Sequence, residues 1–346
     1  MAALTTLISD LRILVSAKRS RRATGGPLQQ TFLLYATYQV PQGRDVTPKQ
    51  QRPRRRFFGA LLQAVRILTG RQTAGRGITV FPDDVFIVSY PRSGNTWVRF
   101  LLGNLIEPND PVTFSNVESR IPEIYFNTDG FLRRLPRPRM LKSHECFQPH
   151  YPHVLYIVRD PRDVALSYFH HNVKARNIPD DYPMASFVPR FIAGEFDFRF
   201  GCWRDHVLSW TAVRANDPRF LMLRYEDMKR GPVDALRNAR AFLERCSFRQ
   251  LDSNEETLQR AIDLSSADRM RALEKQEASQ WVLTRKTRSD KPFVRSAISG
   301  GWKTQLPSES VAAIEAAWGE VMQRLGYELI SRPNPELAPL STKASK

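Results

Sequence analysis

Four short apolar runs in the middle of the chain constrain its fold more than any other feature of the sequence. They are VFIVSY (85–90), RMLKSH (139–144), HVLYIV (153–158) and FLMLRY (220–225). Runs of this kind are typical of buried strands, and stretches with helical apolar spacing lie between them. The sequence therefore predicts an α/β fold, a single domain with a central parallel β-sheet flanked by helices.

The first run passes through a small polar loop into a helical pattern at residues 98–105, with Gly94 in the turn. Such a strand-loop-helix corner is a P-loop-like phosphate cradle, because the first N–H groups of a helix lack partners and its dipole favours anions. Ser93 and Thr96 would add hydroxyl donors, and Arg92 would add a cation. The loop lacks the second glycine and the lysine of a Walker A sequence, and taken alone it fits an ordinary capped turn equally well.

Further helices are expected from other local signals. Asp160 and Pro161, directly after the third run, have the residue types of an N-cap and a first helical position. Helical patterns also cover residues 232–246 and 308–325. Each of these stretches could pack against one face of the predicted sheet.

The charge distribution separates an N-terminal extension from the domain. Residues 1–78 hold fourteen Lys and Arg against two Asp, so +12 of the net charge of +17 lies there. We expect residues 1–78 to be a basic, flexible or amphipathic extension, 79–330 the folded domain and 331–346 a loose tail. Anionic lipid, nucleic acid and simple solvation all suit the extension. Its apolar helical stretch, 57–70, is shorter than the ~20 residues that span a bilayer and could lie on a membrane surface.

The cysteines and the N-terminal residues indicate the cellular compartment in which the protein is expected. Three widely spaced cysteines suit a reducing environment and show no metal-ligand spacing. The first residues lack the charged start of a secretory signal, so we expect a cytoplasmic protein, with membrane association through the extension as a further option. An organellar transit peptide stays open, because the segment is rich in Arg and almost free of acidic residues.

The polar loop and several later segments resemble the sequence blocks of one protein family, in the same order. The loop YPRSGNTW (90–97) resembles the 5′-phosphosulfate loop, Y-P-K-S-G-T-T-W, of the sulfotransferases of the cytosolic type. Further blocks follow in that family's order: LKSHE (141–145), VRDPRDVALSYFHH (158–171), FIAGEFDFRFGCWRDHVLSW (191–210), LRYEDM (223–228) and FVRSAISGGWK (293–303). The resemblance implies an enzyme that transfers a sulfuryl group from 3′-phosphoadenosine 5′-phosphosulfate (PAPS) to a hydroxyl or amine. It also implies adenosine 3′,5′-bisphosphate as the spent donor and no required metal.

The resemblance assigns three catalytic residues. His144 would be the general base, since a histidine with its ordinary pKa of about 6.5 is largely neutral at working pH. Glu145 is the alternative base. Arg92 stands where the family usually has Lys; it would stabilise the leaving phosphate but would donate a proton less readily than Lys. Lys142 would supply a second cation on the sulfuryl group, or else be a surface residue flanking a strand.

The same resemblance assigns the residues that bind the donor. Arg159 and Ser167 would hold the 3′-phosphate, and Arg295 matches the Arg of a C-terminal phosphate loop. Trp97 would stack on the adenine or belong to the core, and Tyr225 would reach the adenine edge or simply end its strand. The 5′-phosphosulfate would be held by the loop residues Arg92, Ser93, Gly94, Asn95 and Thr96.

The acceptor side carries fewer signals. Segments 107–138 and 172–200 are expected to form the acceptor pocket, for a small molecule or for a hydroxyl of a glycan or lipid. His170, His171 and His206 are expected to be structural, and no specific nucleic acid is expected as a partner. The oligomeric state stays open, because the family's C-terminal dimer pattern is missing. The alternatives are a nucleotide-dependent phosphotransferase and a basic protein that binds membranes or nucleic acid.

Overall fold

The four apolar runs form neighbouring strands of one parallel sheet. The computed structural model describes residues 72–331 except 198, 249, 250, 252 and 253. The strands are β1 (Val85–Ser89), β2 (Met140–Ser143), β3 (His153–Val158) and β4 (Phe220–Arg224). Their order in the sheet is β2-β1-β3-β4, with every pair parallel. The predicted α/β fold with a central parallel sheet is confirmed.

Helices fill the connections between the strands and the C-terminal part of the domain. They are α1 (Asn95–Ile106), α2 (Val117–Arg120), α3 (Asp129–Leu132), α4 (Pro161–Lys174), α5 (Met184–Ile192), α6 (Trp203–Arg214), α7 (Tyr225–Arg230), α8 (Pro232–Arg245), α9 (Glu255–Leu264), α10 (Ala267–Glu277), α11 (Trp302–Gln305) and α12 (Ser308–Arg324). The predicted start of α4 is confirmed, since the Asp160 carboxylate accepts a hydrogen bond from the Arg162 N–H.

The two faces of the sheet bury separate apolar clusters. Phe86 and Val88 of β1 point to one cluster, which also takes side chains from α4, α6 and α12. Val85 and Ile87 point to the other, together with side chains from α1, α8 and α9. This alternation is what a strand with two buried faces requires, and it leaves the carboxyl ends of all four strands at one edge of the sheet.

The predicted terminal segments lie largely outside the described residues. Residues 1–71, which include the apolar stretch 57–70, and residues 332–346 belong to that part of the chain, so the extension and the tail stay predictions. Among the residues that the structure describes, the helices are all too short or too polar to cross a bilayer.

Candidate active site

The loop between β1 and α1 is built around Gly94. This residue has φ 99°, in the left-handed region, and directly precedes α1. A Cβ atom at this position would lie 2.6 Å from Cδ2 of Tyr225, so glycine is required both for the backbone and for the close approach of the ring. The Asn95 side chain fixes the loop to the sheet, because its Nδ2 donates to the Ile87 carbonyl and to Ser89 Oγ, both at 3.2 Å.

A cavity of about 390 Å³ opens where the strands end. Nearly all of the residues predicted from the sequence share this one cavity, although they come from five different segments of the chain. Its lining includes Arg92, Gly94, Asn95, Thr96, Trp97, Lys142, His144, Arg159, Ser167, Tyr225 and Arg295. Ser93 differs from them, because it is fully buried within the loop and is not among the lining residues.

His144 follows β2 and has a defined tautomer. Its Nδ1 lies 2.7 Å from the carbonyl oxygen of Ser89, and a carbonyl oxygen can only accept, so Nδ1 carries the proton. Nε2 is then left with a free lone pair. Burial, reinforced by the charge of Lys142, lowers the pKa of His144 well below its ordinary value. The imidazole is therefore neutral at physiological pH and able to accept a proton.

Glu145, the alternative base, has other partners. One carboxylate oxygen lies 2.5 Å from Nε of Arg76, and the other accepts a hydrogen bond from the Tyr125 hydroxyl at 3.1 Å. Its side chain is only 4% exposed, and it is not among the residues that line the cavity. Of these two neighbouring residues, His144 lines the cavity and Glu145 does not.

Lys142 is buried in the cavity wall and not on the surface. Its Nζ donates to Oε2 of Glu123 at 2.6 Å, and both side chains line the cavity. Burial lowers the pKa of Lys142, while the Glu123 carboxylate opposes that effect. Glu123 was not among the predicted site residues, because it lies in segment 107–138, which carries no motif of the family pattern.

Arg92 faces the helix that follows β3. Its Nε donates to Ser167 Oγ at 3.3 Å, and its guanidinium lies 4.8 Å from the centre of the Phe293 ring. Burial and the nearby charge of Arg159 lower the pKa of Arg92 to about 10. Within the described residues, no carboxylate lies at ion-pair distance from Arg92, so its positive charge is available to an anion.

Two more arginines lie in the lining of the same cavity. The guanidinium of Arg159 lies over the Tyr225 ring at 4.3 Å and donates to the Ile298 carbonyl at 3.0 Å. Arg295 donates to the Gln305 side chain at 2.8 Å, and burial and the charge of Arg159 lower its pKa. The charge of Arg159 thus contributes to the lowered pKa of both Arg92 and Arg295, so positive charge is concentrated in this part of the cavity.

The C-terminal loop FVRSAISGGWK (293–303) differs from the family pattern it resembles, F-x-R-[KR]-G-x-x-G-D-W-K, at residues 296, 297 and 301, and it is nevertheless tied to α4. The Asp163 carboxylate accepts hydrogen bonds from the backbone N–H groups of Gly300 at 2.7 Å and Trp302 at 3.0 Å. Ala297, where the family pattern has glycine, adopts φ 52°. These two bonds keep the segment around Arg295 at the rim of the cavity.

Trp97 is half-buried and packs edge-on against Tyr225, with ring centres 5.5 Å apart. The Lys229 ammonium lies 5.2 Å from the centre of the Trp97 ring. Trp97 contributes to the cavity wall and also packs against two of the apolar clusters, so neither of its predicted roles excludes the other.

Two of the three histidines that were expected to be structural, His206 and His171, have different surroundings. His206 is fully buried, and its Nε2 donates to the His144 carbonyl at 3.0 Å, which supports the backbone of the candidate base. His171 lines the cavity beside Tyr168, whose hydroxyl donates to Asp197 at 3.4 Å. Burial lowers the pKa of His171 to about 3, so it contributes a neutral ring to the cavity wall.

Comparison with known proteins identifies the family to which the chain belongs. The family described as the sulfotransferase domain matches residues 82–326. The chain belongs to the sulfotransferase family. Sulfotransferase 1 family member D1 of Mus musculus is 30% identical over 240 residues, which cover 65% of this chain and 78% of the relative. Sulfotransferase 1A1 of Canis lupus familiaris is 29% identical over 260 residues, covering 71% and 85%.

A solved structure of a sulfotransferase shares the fold. The crystal structure of mouse sulfotransferase SULT7A1 complexed with PAP has a TM-score of 0.57 and 25% sequence identity, covering 72% of this chain and 87% of that one. The predicted enzyme class, a PAPS-dependent sulfotransferase, is confirmed by the family membership. This enzyme class replaces the two alternatives for the main function, a nucleotide-dependent phosphotransferase and a basic protein that binds membranes or nucleic acid.

Proposed function

We propose that this sulfotransferase moves the sulfuryl group of PAPS, in line, to a hydroxyl or amine of a small-molecule, glycan or lipid acceptor, with His144 as the general base. One observation carries the proposal. A neutral His144, with the lone pair on Nε2, lines the same cavity as Arg92, Arg159 and Arg295. These arginines give the cavity an excess of positive charge.

The donor would occupy the part of the cavity lined by the arginines. Arg92 and the N-terminus of α1 suit the 5′-phosphosulfate, since unpaired N–H groups and a cation favour an anion there. Arg159 and Ser167 suit the 3′-phosphate. The adenine would lie against Trp97 and Tyr225. The complex of the mouse relative with PAP, the spent donor, supports a donor site of this kind.

The reaction requires a proton acceptor and cations in fixed positions. As the bond from the acceptor oxygen to sulfur forms and the bond from sulfur to the phosphate oxygen breaks, His144 Nε2 takes the acceptor proton. Arg92 stabilises the charge that develops on the leaving phosphate, and Lys142 stabilises the sulfuryl oxygens. Because Arg92 keeps its proton, the phosphate would leave as an anion held by charge.

The acceptor would enter beside His144, between aromatic and polar side chains. Tyr125, Phe126 and Phe200 offer ring faces, and His171 and Asp197 offer polar atoms. This combination suits an acceptor that carries both a ring and polar substituents. The basic extension, residues 1–78, stays a separate candidate for contact with a membrane surface.

Calorimetric titration with adenosine 3′,5′-bisphosphate tests the donor site. The wild type should bind it, and Arg159→Ala and Ser167→Ala should bind it at least tenfold more weakly, because each removes a group from the 3′-phosphate. Arg219→Ala is a matched control, since Arg219 is exposed and pairs with Asp217 outside the cavity. A folded wild type that binds no nucleotide would overturn the proposal.

A further inference from the structure

A buried ion pair forms part of the cavity wall next to His144. Lys142 Nζ and Glu123 Oε2 are 2.6 Å apart, and their side chains are only 4% and 5% exposed. Burial of two charges is costly unless the pair is well placed, and removal of one partner leaves the other charge uncompensated. Because the pair lies in the cavity wall, its role is to be sought in its contact with a ligand of the cavity.

The backbone fixes the position of the carboxylate. The segment around Glu123 runs alongside β2, where the Lys142 N–H donates to the Pro122 carbonyl at 2.8 Å and the Ile124 N–H donates to the Lys142 carbonyl at 3.2 Å. Glu123 and Lys142 thus form a parallel bridge, and their side chains leave the backbone side by side. The carboxylate is held at the ammonium by the fold itself.

The ammonium retains capacity for a second partner. A lysine has three N–H donors, and among the described residues Lys142 Nζ donates to one acceptor, Glu123. Burial disfavours the charged form of Lys142, and so does the nearby cation Arg99. Glu118 favours it, but that carboxylate forms its own ion pair with Arg99. Glu123 is the group in direct contact that favours the charged form.

We propose that Glu123 is a positioning residue for sulfuryl transfer: it is the counter-ion that keeps Lys142 protonated and in place until the sulfuryl group of PAPS joins the pair. This inference rests on the proposed function, in which Lys142 contacts the sulfuryl group. It predicts that Glu123 affects the enzyme through the protonation state of Lys142 and leaves the 3′-phosphate and adenine contacts unaltered.

The test is calorimetry of PAPS and of adenosine 3′,5′-bisphosphate with the full chain, at pH 8, in two buffers of different ionisation enthalpy. The wild type should take up almost no proton with either ligand. Glu123→Gln should take up a larger fraction of a proton with PAPS than the wild type does, because Lys142 holds its proton less tightly without the carboxylate and more tightly beside the anionic sulfuryl group. With the bisphosphate, which lacks that group, the variant should take up no proton and should bind with the wild-type Kd.

Three further variants make the result specific. The double variant Glu123→Gln, Lys142→Met should take up no proton, which assigns the effect to Lys142. Glu123→Asp, which keeps a shorter carboxylate, should give an intermediate uptake and replaces the Gln variant if the latter does not fold. Glu107→Gln is the matched control, since Glu107 is exposed and pairs with Arg120 outside the cavity.

The outcomes separate the inference from the proposed function. If Glu123→Gln, or Glu123→Asp in its place, binds PAPS with the proton uptake of the wild type, the inference is wrong. The same holds if uptake persists in the double variant. If the wild type binds neither nucleotide, the donor assignment fails first, and the inference falls with it.

Discussion

Nδ1 of His144 lies 2.7 Å from the carbonyl oxygen of Ser89, so the end of β1 sets the tautomer of a residue that follows β2. The two strands are neighbours in the sheet, with Val88 in register with Ser143. The backbone of the sheet therefore aims the lone pair of Nε2. In its proposed role as the base, His144 therefore needs no change of tautomer before it accepts a proton.

We expect His144→Ala to lower the transfer rate by roughly 10²–10⁴-fold, the usual contribution of a general base. Its Kd for adenosine 3′,5′-bisphosphate should stay at the wild-type value, because His144 lies outside the proposed nucleotide contacts. Single-turnover kinetics with PAPS and any acceptor that the wild type sulfates, together with calorimetry, measure both quantities. Full activity in a variant that still binds the nucleotide would remove the base from His144.

The rate should depend on pH in a way that reflects the lowered pKa of His144. A base acts in its unprotonated form, so the rate falls only when the pH drops through the pKa that His144 has in the folded protein. Since burial holds that pKa well below the ordinary value of about 6.5, the rate should stay level well below pH 6.5. A pH profile of kcat/KM checks this, and an acid limb centred near pH 6.5 would contradict it.

Glu145→Gln should retain transfer activity to within a few-fold. The Glu145 carboxylate is occupied by Arg76 and Tyr125, and the amide of Gln can still accept the Tyr125 hydrogen bond. The same kinetic assay measures the effect, with His144→Ala beside it. A loss of activity in Glu145→Gln as large as that of His144→Ala would move the base to Glu145.

The sequence was sufficient for the sheet and for most of the residues that line the cavity, for a physical reason. Strands such as 85–89 are nearly continuous apolar runs, and the residues predicted to bind phosphates are charged or small and lie after such runs. Glu123 and His171 could not be found in this way. Their roles depend on which segment packs beside β2 and on which face of α4 meets the cavity, and neither depends on local spacing.

The roles of Glu145 and Lys142 depended on the structure for the same reason. Adjacent residues after a strand differ in direction, so His144 reaches the cavity while Glu145 turns toward Arg76. From the sequence, Lys142 was either a cation in the site or a surface residue, and only the neighbouring Glu123 explains how its charge is buried. Pairings between distant segments carry this information, and a single sequence does not show them.

Gly94→Ala tests the phosphate cradle. The added Cβ would lie 2.6 Å from Cδ2 and 2.9 Å from Cε2 of Tyr225, and the left-handed backbone would cost a further ~1–2 kcal/mol for a residue with a side chain. We expect a lower melting temperature and at least tenfold weaker binding of adenosine 3′,5′-bisphosphate. Gly130→Ala is the matched control, since nothing lies within 4 Å of a Cβ there. Equal affinity in both variants would show that the loop does not bind the nucleotide.

Removal of residues 1–71 separates the enzyme from its basic extension. The cut leaves Arg76 in place, so the contact between Arg76 and Glu145 is kept. We expect unchanged Kd for adenosine 3′,5′-bisphosphate and unchanged transfer rates, because the match to the sulfotransferase domain begins at residue 82. If the extension contacts a membrane surface, the full chain should co-sediment with vesicles of anionic lipid and the shortened chain should not, with the difference lost at high salt. Loss of nucleotide binding in the shortened chain would instead place part of the donor site in the extension.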